Sequence, residues 1–403
     1  MSNFTIASFN VKNLIGAEQE YYKFEEYTPE EYAWKKDWLA DQLLSMNADI
    51  VCFQEIFEQP ALYDIVEETN TRGSEYNAAV IPDKSKRYHR KAVFRKLKYE
   101  AYENGTLFFA PNYSDGGPGE RQPGLAILSR YGFEGEPEAI QELPEPLVFQ
   151  FTGLRGKGDA GSFTLTRISR PIIKARVNIE GTIVTLFNCH LKSKLGEYVK
   201  PKGAAFAAEA DLTDYDPVGR AMGSARAAMR RMAEALVLRR AIVEELKLGN
   251  PVMVMGDFND GEHAVSSEII TGEVPFKNYA WMRRHDAENR NERYSEEENI
   301  QIRGDIEKFA LTSAEKLFVR KSLRDMVYTS AFGGVYESID QIFLSRHFHP
   351  DNAERLGEME YFSVLNDHLT DGSHSEAPYN KLASDHGQII AHFKLVDGEQ
   401  FRV

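Results

Sequence analysis

The sequence has few cysteines and no long apolar run. Only Cys52 and Cys189 occur among 403 residues, each within an apolar stretch, so a disulfide scaffold is excluded and both thiols are expected to be buried. No run approaches the roughly 18 apolar residues that a membrane-spanning helix needs. The N-terminus, MSNFTIASFN, has neither the basic nor the apolar segment of a signal peptide. We therefore expect a cytoplasmic protein, or a secreted or periplasmic one if a leader has been removed.

The sequence also lacks an excess of positive charge. Its 48 Lys and Arg residues against 62 Asp and Glu residues give a net charge of −14, whereas proteins that clamp nucleic acid non-specifically are usually basic. A bound cation can still reverse the charge locally and admit a phosphorylated substrate. Hydrophobic residues make up 42% of the chain, which is ordinary for a globular protein with a large core.

Apolar periodicity predicts many strands and fewer helices. Strands are predicted for FTIASFNVKNL, IVCFQEI, LAILSR, PVMVMG, SIDQIFLS and GQIIAHFKL, with a hairpin for IIKARVNIEGTIVTLFNCHL. A helix should begin at TPEE with Thr28 as its N-cap, and others are expected in LYDIVEET, in SARAAMRRMAEALVLRRAIVEELKLGN and around 305–324. The segment GLRGKGDAGS is expected to be an exposed loop. We predict a single domain over 1–403, with insertions near 71–120, 145–165 and 262–325.

Polar side chains recur where these predicted strands end. Six strand ends carry a carboxylate, amide or imidazole, and these residues are Asn10, Glu55, Asn188 with His190, Asp257 with Asn259, Asp340, and Asp385 with His386. A single polar residue after a strand is usually a turn residue, but strand ends of one sheet lie close together. Residues two apart in a strand face the same side, so Asp257 and Asn259 are expected to converge if that stretch stays extended. Oxygen-rich ligand sets suit Mg²⁺, Mn²⁺ or Ca²⁺.

The order of seven short motifs resembles that of the endonuclease/exonuclease/phosphatase superfamily, which has a deoxyribonuclease-I-like fold. From near residue 6 to near residue 393, the motifs are FNVKNL, DIVCFQE, GLAILSR, FNCHLKS, GDFND, SIDQIFLS and SDHGQI. The segment EEYTPEEYAWKK is similar to that of bacterial nuclease-like members. The resemblance implies an α/β (α+β) fold, a four-layer α/β/β/α sandwich of two packed, mostly antiparallel sheets with outer helices. Its active site would lie at one edge of the sandwich.

The resemblance also implies a metal centre. Glu55 would be the principal ligand of a divalent cation, Mg²⁺ with Mn²⁺ or Ca²⁺ as alternatives. Asn10 would lie beside it and help to orient Asp257, and Asp385 would lie near the metal. One residue departs from the pattern: Lys12 stands where many relatives carry an acid or an amide, and a protonated lysine binds no metal. A single principal ion is therefore favoured.

The remaining roles implied by the resemblance are catalytic. Asp257 and Asn259 would position and activate the attacking water. His386 would bind the scissile phosphate with Asp340 as its carboxylate partner, because a carboxylate orients an imidazole and favours its charged form. His190 would bind phosphate or stabilise the leaving group.

Several other polar residues are candidates for substrate contact. Asn188 should converge with His190, and Lys192 could bind a second phosphate or an anionic head group, together with Lys194; an exposed loop with solvated lysines is the alternative. The arginines of the long predicted helix suggest a groove, although their spread around it favours a solvated face. These are Arg226, Arg230, Arg231, Arg239 and Arg240.

Three functions are consistent with these features. We favour a metal-dependent nuclease that hydrolyses phosphodiester bonds. The second is a phosphatase or phosphodiesterase acting on a small or lipid-derived phosphoester, such as an inositol phosphate or a sphingomyelin-like ester, and the third is a non-catalytic binding protein on the same fold. The expected partner is a phosphoester substrate, possibly nucleic acid. No protein partner and no transmembrane segment can be identified.

Overall fold

A computed structural model describes most of the chain. The described residues are 3–22, 25–79, 98–103, 106–112, 121–151, 161–196, 217–272, 296–322, 328–371 and 380–396. The segment GLRGKGDAGS lies largely outside them, so its expected loop is left untested. Among the described residues, no helix is both long enough and apolar enough to cross a membrane.

Fourteen strands are present in the described part of the chain. In chain order they are β1 (Asn3–Leu14), β2 (Ile50–Ile56), β3 (Leu107–Asn112), β4 (Gln122–Ser129), β5 (Glu138–Phe151), β6 (Gly161–Ile179), β7 (Thr182–His190), β8 (Val252–Asp257), β9 (Leu311–Ser313), β10 (Ser330–Phe332), β11 (Val335–Glu337), β12 (Asp340–Ser345), β13 (Gly357–Leu365) and β14 (Gln388–Leu395). Twelve of them form two six-stranded sheets, in the orders β13-β14-β1-β2-β4-β3 and β5-β6-β7-β8-β12-β9, and β10 pairs only with β11.

Six helices accompany these sheets in the described residues. They are α1 (Pro29–Met46), α2 (Gln59–Ala79), α3 (Pro217–Lys247), α4 (Val265–Thr271), α5 (Glu296–Glu307) and α6 (Ala314–Ser322). The predicted start of α1 is confirmed, because Thr28 and Glu31 form a reciprocal capping box and Pro29 begins the helix. The prediction of a single helix around 305–324 is wrong. The segment is divided into α5 and α6 by β9, which pairs with β12.

The two sheets pack face to face, and the helices lie outside them. The core between the sheets includes Ile6, Cys52, Leu125, Leu186, Met255 and Ile389. A second core joins the outer face of the first sheet to α1 and α2, and a third joins the second sheet to α3 and α4. Because both faces of the central strands are buried, these strands appear in the sequence as continuous apolar runs. The predicted four-layer sandwich is confirmed, and Cys52 and Cys189 are both buried.

Strand direction determines where the functional residues meet. The two parallel pairs, β1 with β2 and β7 with β8, end at one edge of the sandwich. Strand β12 begins at that edge, since its first residue, Asp340, pairs with Asp257 at the end of β8. Strand β14 begins there too, antiparallel to β1. Strand ends from both sheets are therefore brought to the same edge.

Candidate active site

Asp257 is the centre of the polar cluster at this edge. It is the last residue of β8 and is almost completely buried. One of its oxygens, Oδ2, lies 3.0 Å from Asn10 Nδ2 and 3.2 Å from His190 Nε2. The same oxygen lies 3.7 Å from His386 Nε2. Burial alone would raise the pKa of Asp257, but His386 and His190 outweigh it and hold that pKa below its usual range. Asp257 is therefore an ionised acceptor shared by side chains of both sheets.

The glycine before Asp257 allows this strand end to pack closely. Gly256 has a φ of +150°, and a Cβ atom there would lie 1.9 Å from the carbonyl oxygen of Cys189 on β7. No side chain fits at that distance, so only glycine lets β8 lie beside β7 with His190 opposite Asp257.

Asn259 reaches Asp257 by a turn rather than by strand alternation. Strand β8 ends at Asp257, and Asn259 has a left-handed φ of +53°. Its backbone N–H donates to Asp257 Oδ1 at 2.8 Å, and its side-chain amide donates to the carbonyl oxygen of Leu191 at 3.0 Å. The expected convergence occurs, but the extended geometry predicted for it does not, because asparagine adopts a left-handed turn easily.

His386 and Asp340 form a buried pair beside Asp257. His386 Nδ1 lies 2.8 Å from Asp340 Oδ2, which identifies Nδ1 as the protonated donor. Burial alone would lower the pKa of His386, but the carboxylates of Asp340 and Asp257 outweigh it and raise that pKa well above its usual value. For Asp340, burial has the opposite effect from that on His386 and raises the pKa of the carboxyl group. The pair therefore retains a proton at neutral pH, and His386 carries positive charge toward the cleft.

Glu55 is placed by an irregularity in its own strand. The pairing of β2 with β4 shifts register between Gln54 and Ile56, and Glu55 has a φ of +65°. Such a left-handed, non-glycine residue within a strand costs free energy and is typical of functional sites. The Glu55 carboxylate accepts hydrogen bonds from Asn10 Nδ2 at 3.2 Å and from the backbone N–H of Asn13 at 3.0 Å.

Asn10 joins Glu55 to Asp257 through its amide nitrogen. Its Oδ1 accepts a hydrogen bond from the backbone N–H of Lys12 at 3.0 Å. That backbone donor fixes the orientation of the amide, so Nδ2 must face the two carboxylates. Asn10 therefore orients both acids as a hydrogen-bond donor.

Asp385 lies at the outer side of the cluster. Its side chain is 54% exposed, and its Oδ2 is 4.0 Å from Lys12 Nζ. Lys12 lies in the last part of β1, where the pairing with β2 shifts register between Asn10 and Leu14 and Lys12 has a left-handed φ of +53°. A lysine ammonium thus lies beside the acid that was expected near the metal.

Asn188 is too deeply buried to make the substrate contact predicted for it. It is fully buried between the sheets. Its Nδ2 donates to the carbonyl oxygens of Phe53 and Ala126, and its Oδ1 accepts from Gln54 Nε2 at 2.8 Å. The whole amide is engaged in joining β7 to the first sheet, and no exposed surface is left for a substrate.

The rim of the site contains basic side chains from the second sheet. Lys192 follows β7 and is partly buried, and its Nζ donates to Ser193 Oγ at 3.4 Å and to the carbonyl oxygen of Leu195 at 3.3 Å. Arg170, which the sequence analysis missed, lies at the end of the SR sequence in β6, and its Nη1 donates to the carbonyl oxygen of Leu191 at 3.3 Å. What distinguishes Arg170 from other surface arginines is this bond to the loop after His190. The bond exists only in the folded protein, so the sequence gives no sign of it.

Two of the helix arginines contradict the solvated face that was favoured for them. Arg231 is 9% exposed, and its Nε donates to Asp260 Oδ2 at 2.6 Å. Arg239 donates to the carbonyl oxygens of Ile270 and Phe309. Arg231 connects α3 to the loops after β7 and β8, and Arg239 connects it to the last turn of α4 and to the segment before β9.

A buried lysine behind the site was also missed. Lys35 of α1 is fully buried, and its Nζ donates to the carbonyl oxygens of Val11 at 3.0 Å and Leu382 at 3.1 Å. These carbonyls belong to the segments that carry Asn10 and His386. Burial, followed by the charge of Lys12, lowers the pKa of Lys35 to about 7. A lysine in an amphipathic helix gives no sequence signal of such a position.

The donor set fits a hard divalent cation. Ligand atoms of Asp257, Asp340 and His386 lie within 4.8 Å of one another, and the buried Oδ1 of Asp340 has no hydrogen-bond partner among the described residues. His386 Nδ1 bonds Asp340 at 2.8 Å and its Nε2 lies 3.7 Å from Asp257, however, and a charged imidazole carries protons on both nitrogens, so the ring has no lone pair for a metal. Glu55, half-buried and linked to Asp257 through Asn10, is better placed for an ion.

The comparison with protein families gives one match that spans most of the chain. The profile of the Endonuclease/Exonuclease/phosphatase family matches residues 7–386. No protein in the curated set matches the chain significantly. The motif resemblance found in the sequence is therefore confirmed at the level of the family.

Solved structures of low sequence identity are also similar. A Leptotrichia buccalis endonuclease/exonuclease/phosphatase family protein is 13% identical over 97% of this chain and 100% of its own, with a TM-score of 0.43. Truncated Caenorhabditis elegans TDP2 is 13% identical over 97% of each chain, with a TM-score of 0.43. A Bacteroides thetaiotaomicron mannosyl-6-phosphatase is 13% identical over 98% of this chain and 99% of its own, again at 0.43. Likenesses at this level do not specify a substrate. The family match over residues 7–386 does assign the chain, which belongs to the endonuclease/exonuclease/phosphatase family of metal-dependent phosphoesterases.

Proposed function

We propose that the protein is a divalent-metal-dependent nuclease that hydrolyses phosphodiester bonds by in-line attack of water. The observation that supports this is the convergence of two imidazoles and two amides on the ionised carboxylate of Asp257. Basic residues also occur on the segments that supply this cluster, with Lys12 in β1, Arg170 in β6 and Lys192 in the loop after β7. On a chain of net charge −14, such a local concentration suits a substrate with several phosphates.

Glu55 is proposed as the principal ligand of Mg²⁺, with Mn²⁺ or Ca²⁺ as substitutes. A cation bound there would neutralise phosphoester charge and stabilise the leaving oxygen. Asn10 contributes by holding the carboxylates of Glu55 and Asp257 in fixed orientations. Asp385 is proposed to lie near the ion, with Lys12 Nζ 4.0 Å from its Oδ2.

Asp257 and Asn259 are proposed to hold the attacking water. As the water oxygen forms its bond to phosphorus and the bond to the leaving oxygen breaks, the water becomes acidic and its proton passes to Asp257. Because its neighbours make Asp257 a weak base, it orients the water first and accepts the proton only as the new bond forms. The fixed turn at Asn259 keeps the carboxylate in one orientation for this transfer.

The two histidines are proposed to act on the phosphoryl group. His386, held as an imidazolium by Asp340, would donate from Nε2 to a non-bridging oxygen, where negative charge accumulates in the transition state. His190 faces Asp257 through Nε2, while its Nδ1 is buried and has no hydrogen-bond partner among the described residues. We propose that Nε2 also hydrogen-bonds the leaving oxygen, which takes up a proton from solvent after its bond to phosphorus breaks.

A phosphatase or phosphodiesterase acting on a small or lipid-derived phosphoester is the second candidate. The observation that favours it is the net charge of −14, which opposes long polyanions more than single phosphoesters. The same side chains would perform the same hydrolysis, and only the rim would need to differ.

A substrate panel distinguishes the two. Plasmid DNA, RNA, an inositol phosphate and a sphingomyelin-like ester are each incubated with Mg²⁺, Mn²⁺ and Ca²⁺, and with EDTA as the control. Cleavage of DNA or RNA that EDTA abolishes is the expected result. Hydrolysis of only the small or lipid esters would replace the nuclease with the second candidate, and intact substrates throughout would reject both.

A further inference from the structure

One turn of α3 holds three segments of the second sheet, one within β6 and two in the loops that follow β7 and β8. Arg231 and Glu234 lie three positions apart on this helix and are 9% and 1% exposed. Their partners lie in the middle of β6, after β7 and after β8. These are the segments that carry Arg170, Lys192 and Asn259.

Glu234 fixes the backbone at both basic residues of the rim. One carboxylate oxygen accepts the backbone N–H of Ser169 at 2.8 Å, and the other accepts the backbone N–H of Lys192 at 2.6 Å. Ser169 immediately precedes Arg170, so a single side chain sets the separation between two cationic residues. Hydrogen bonds to an ionised acceptor are shorter and stronger than neutral ones.

Arg231 holds the opposite side of the same peptide segment. Its Nη1 donates to the carbonyl oxygens of Lys192 at 3.1 Å and Ser193 at 3.3 Å, while its Nε bonds Asp260. The backbone of Lys192 is therefore held at its N–H by Glu234 and at its carbonyl by Arg231. Arg170 completes the arrangement through its bond to the carbonyl of Leu191.

We propose that Glu234 is a positioning residue that spaces Arg170 and Lys192 to bind one anionic group of the substrate. The inference rests on the proposed phosphoester hydrolysis, since it concerns how that substrate is held. Among the described residues, the hydrogen bonds of Glu234 go to the backbone at Ser169 and Lys192 and not to the side chains that contact Asp257, so it acts by positioning these two segments. Its effect should appear in substrate binding and leave the chemical step unchanged.

A second glutamate of α3 provides a matched control. Glu245 is 2% exposed and is also hydrogen-bonded on both oxygens, but to Thr185, Lys174 and Asn250. Thr185 lies near the start of β7, Lys174 pairs with Phe187 within the strands, and Asn250 precedes β8, so none of them belongs to the loop after β7. Replacement of Glu245 therefore tests the loss of a buried carboxylate from the same helix without disturbing the rim.

The experiment compares the kinetics of Glu234→Gln and Glu245→Gln. Glutamine at 234 turns its NH₂ toward one of the two backbone N–H donors, so one loop is released. We expect KM to rise about tenfold with kcat within about twofold in Glu234→Gln, the pattern of lost ground-state binding. Glu245→Gln should lower the urea midpoint and leave KM unchanged. An unchanged KM in Glu234→Gln, or an equal rise in Glu245→Gln, overturns the proposal.

A mutant cycle separates positioning from a general structural defect. In an Arg170→Ala, Lys192→Ala background, Glu234→Gln should raise KM by less than about twofold, because its targets are already absent. A full tenfold rise there contradicts the proposal. Glu234→Asp, which keeps the charge but is one methylene shorter, replaces Glu234→Gln if the latter does not fold, and a KM increase is expected for it too.

Titration with inorganic phosphate keeps this inference distinct from the nuclease proposal. Calorimetry should show weaker phosphate binding by Glu234→Gln than by the wild-type protein, whatever ester is hydrolysed. A wild-type protein that binds phosphate but cleaves nothing would reject the proposed function alone. Equal phosphate affinity in the two proteins would reject the role of Glu234 alone.

Discussion

At the residue scale, the chemistry available at the site depends on which atom each side chain presents. The amide of Asn10 offers its nitrogen to Glu55 and Asp257 because its oxygen is occupied by the backbone of Lys12. His386 presents Nε2 because Nδ1 is engaged by Asp340. In both residues a neighbouring hydrogen bond selects the functional atom, so the polar cluster is oriented before a substrate binds.

The carboxylate at the centre of the cluster gives the first residue-scale prediction. Asp257→Asn keeps the size of the side chain but removes the charge that orients water and both imidazoles. We expect kcat to fall by about 10²–10⁴-fold, the usual contribution of a general base, with the urea unfolding curve retained as evidence of folding. EDTA-sensitive activity above one tenth of the wild-type value would contradict the role. Equal activity in the wild-type and Asp257→Asn preparations would reveal a contaminating enzyme.

Lys35 gives a second prediction, in the pH dependence of stability. Its pKa is about 7 in the folded protein and about 10.4 in an unfolded chain. Between these values the unfolded state binds a proton that the native state lacks, so the stability that Lys35 contributes increases with pH. Around the ammonium, Lys12 lowers this pKa while Glu55 and Asp385 raise it, and Tyr27 lies 5.5 Å away.

The test follows the unfolding free energy in urea between pH 6 and 10 for wild type and Lys35→Met. The difference in favour of wild type should grow as the pH rises from about 7 to about 10, the two pKa values of the lysine. Lys36→Met is the control, because Lys36 is partly exposed beside Glu68. A difference that stays constant over this range for Lys35→Met would show that burial does not depress its pKa.

At the element scale, strands and helices contribute to the site mainly through their ends. Strand β2 places Glu55 through a register shift, β8 places Asp257 by ending against β7, and β12 begins with Asp340. Local sequence predicts such ends well, since apolar runs stop where polar residues begin. It could not predict the turn at Asn259, because the left-handed conformation is not encoded in the spacing of polar residues.

The capping box of α1 gives the element-scale prediction. Thr28 Oγ1 accepts from the backbone N–H of Glu31, and Glu31 accepts from the backbone N–H of Thr28. Thr28→Ala removes one of these bonds and should lower the unfolding free energy by about 1 kcal/mol. Thr71→Ala in α2, whose hydroxyl bonds only Glu67 within its own helix, should change it by less than about 0.5 kcal/mol. Equal effects in urea denaturation would contradict a specific cap.

At the scale of the whole molecule, the site lies where two sheets meet, and this limits what sequence can predict. The acids and histidines were predictable because their motifs lie at the ends of strands. Lys35, Arg170 and Arg231 were not, because each bonds backbone carbonyls far away in the chain, and any residue can supply a carbonyl. Asn188 was predicted to contact substrate but is buried, for a related reason. Its position two residues before His190 predicts the face of the strand that it occupies, whereas its burial depends on how the opposite sheet packs against that face.

The connection between the sheets through Asn188 gives a prediction at this scale. Its amide joins β7 to Phe53, Ala126 and Gln54 of the first sheet. Asn188→Ala leaves those buried groups unpaired and should cost about 2–4 kcal/mol of unfolding free energy, since each unpaired buried group costs roughly 1–3 kcal/mol. Adding Gln54→Ala should cost less than the sum of the single changes. Strict additivity in urea denaturation would indicate that the two amides are energetically independent.

Metal binding should stabilise the whole molecule, because strand ends from both sheets supply the acidic cluster. Asn10 joins Glu55 to Asp257, and Asp257 and Asp340 have ligand atoms within 4.8 Å of each other. An ion bound only by the folded state adds stability through mass action. At 100 times the dissociation constant, Mg²⁺ should add about 2.7 kcal/mol to the unfolding free energy, which thermal denaturation with and without EDTA can measure. Glu55→Gln should lose most of this gain, whereas Glu245→Gln should keep it. An undiminished gain in Glu55→Gln would move the ion to the cluster of Asp257, Asp340 and His386, where it would have to displace the proton that His386 shares with Asp340.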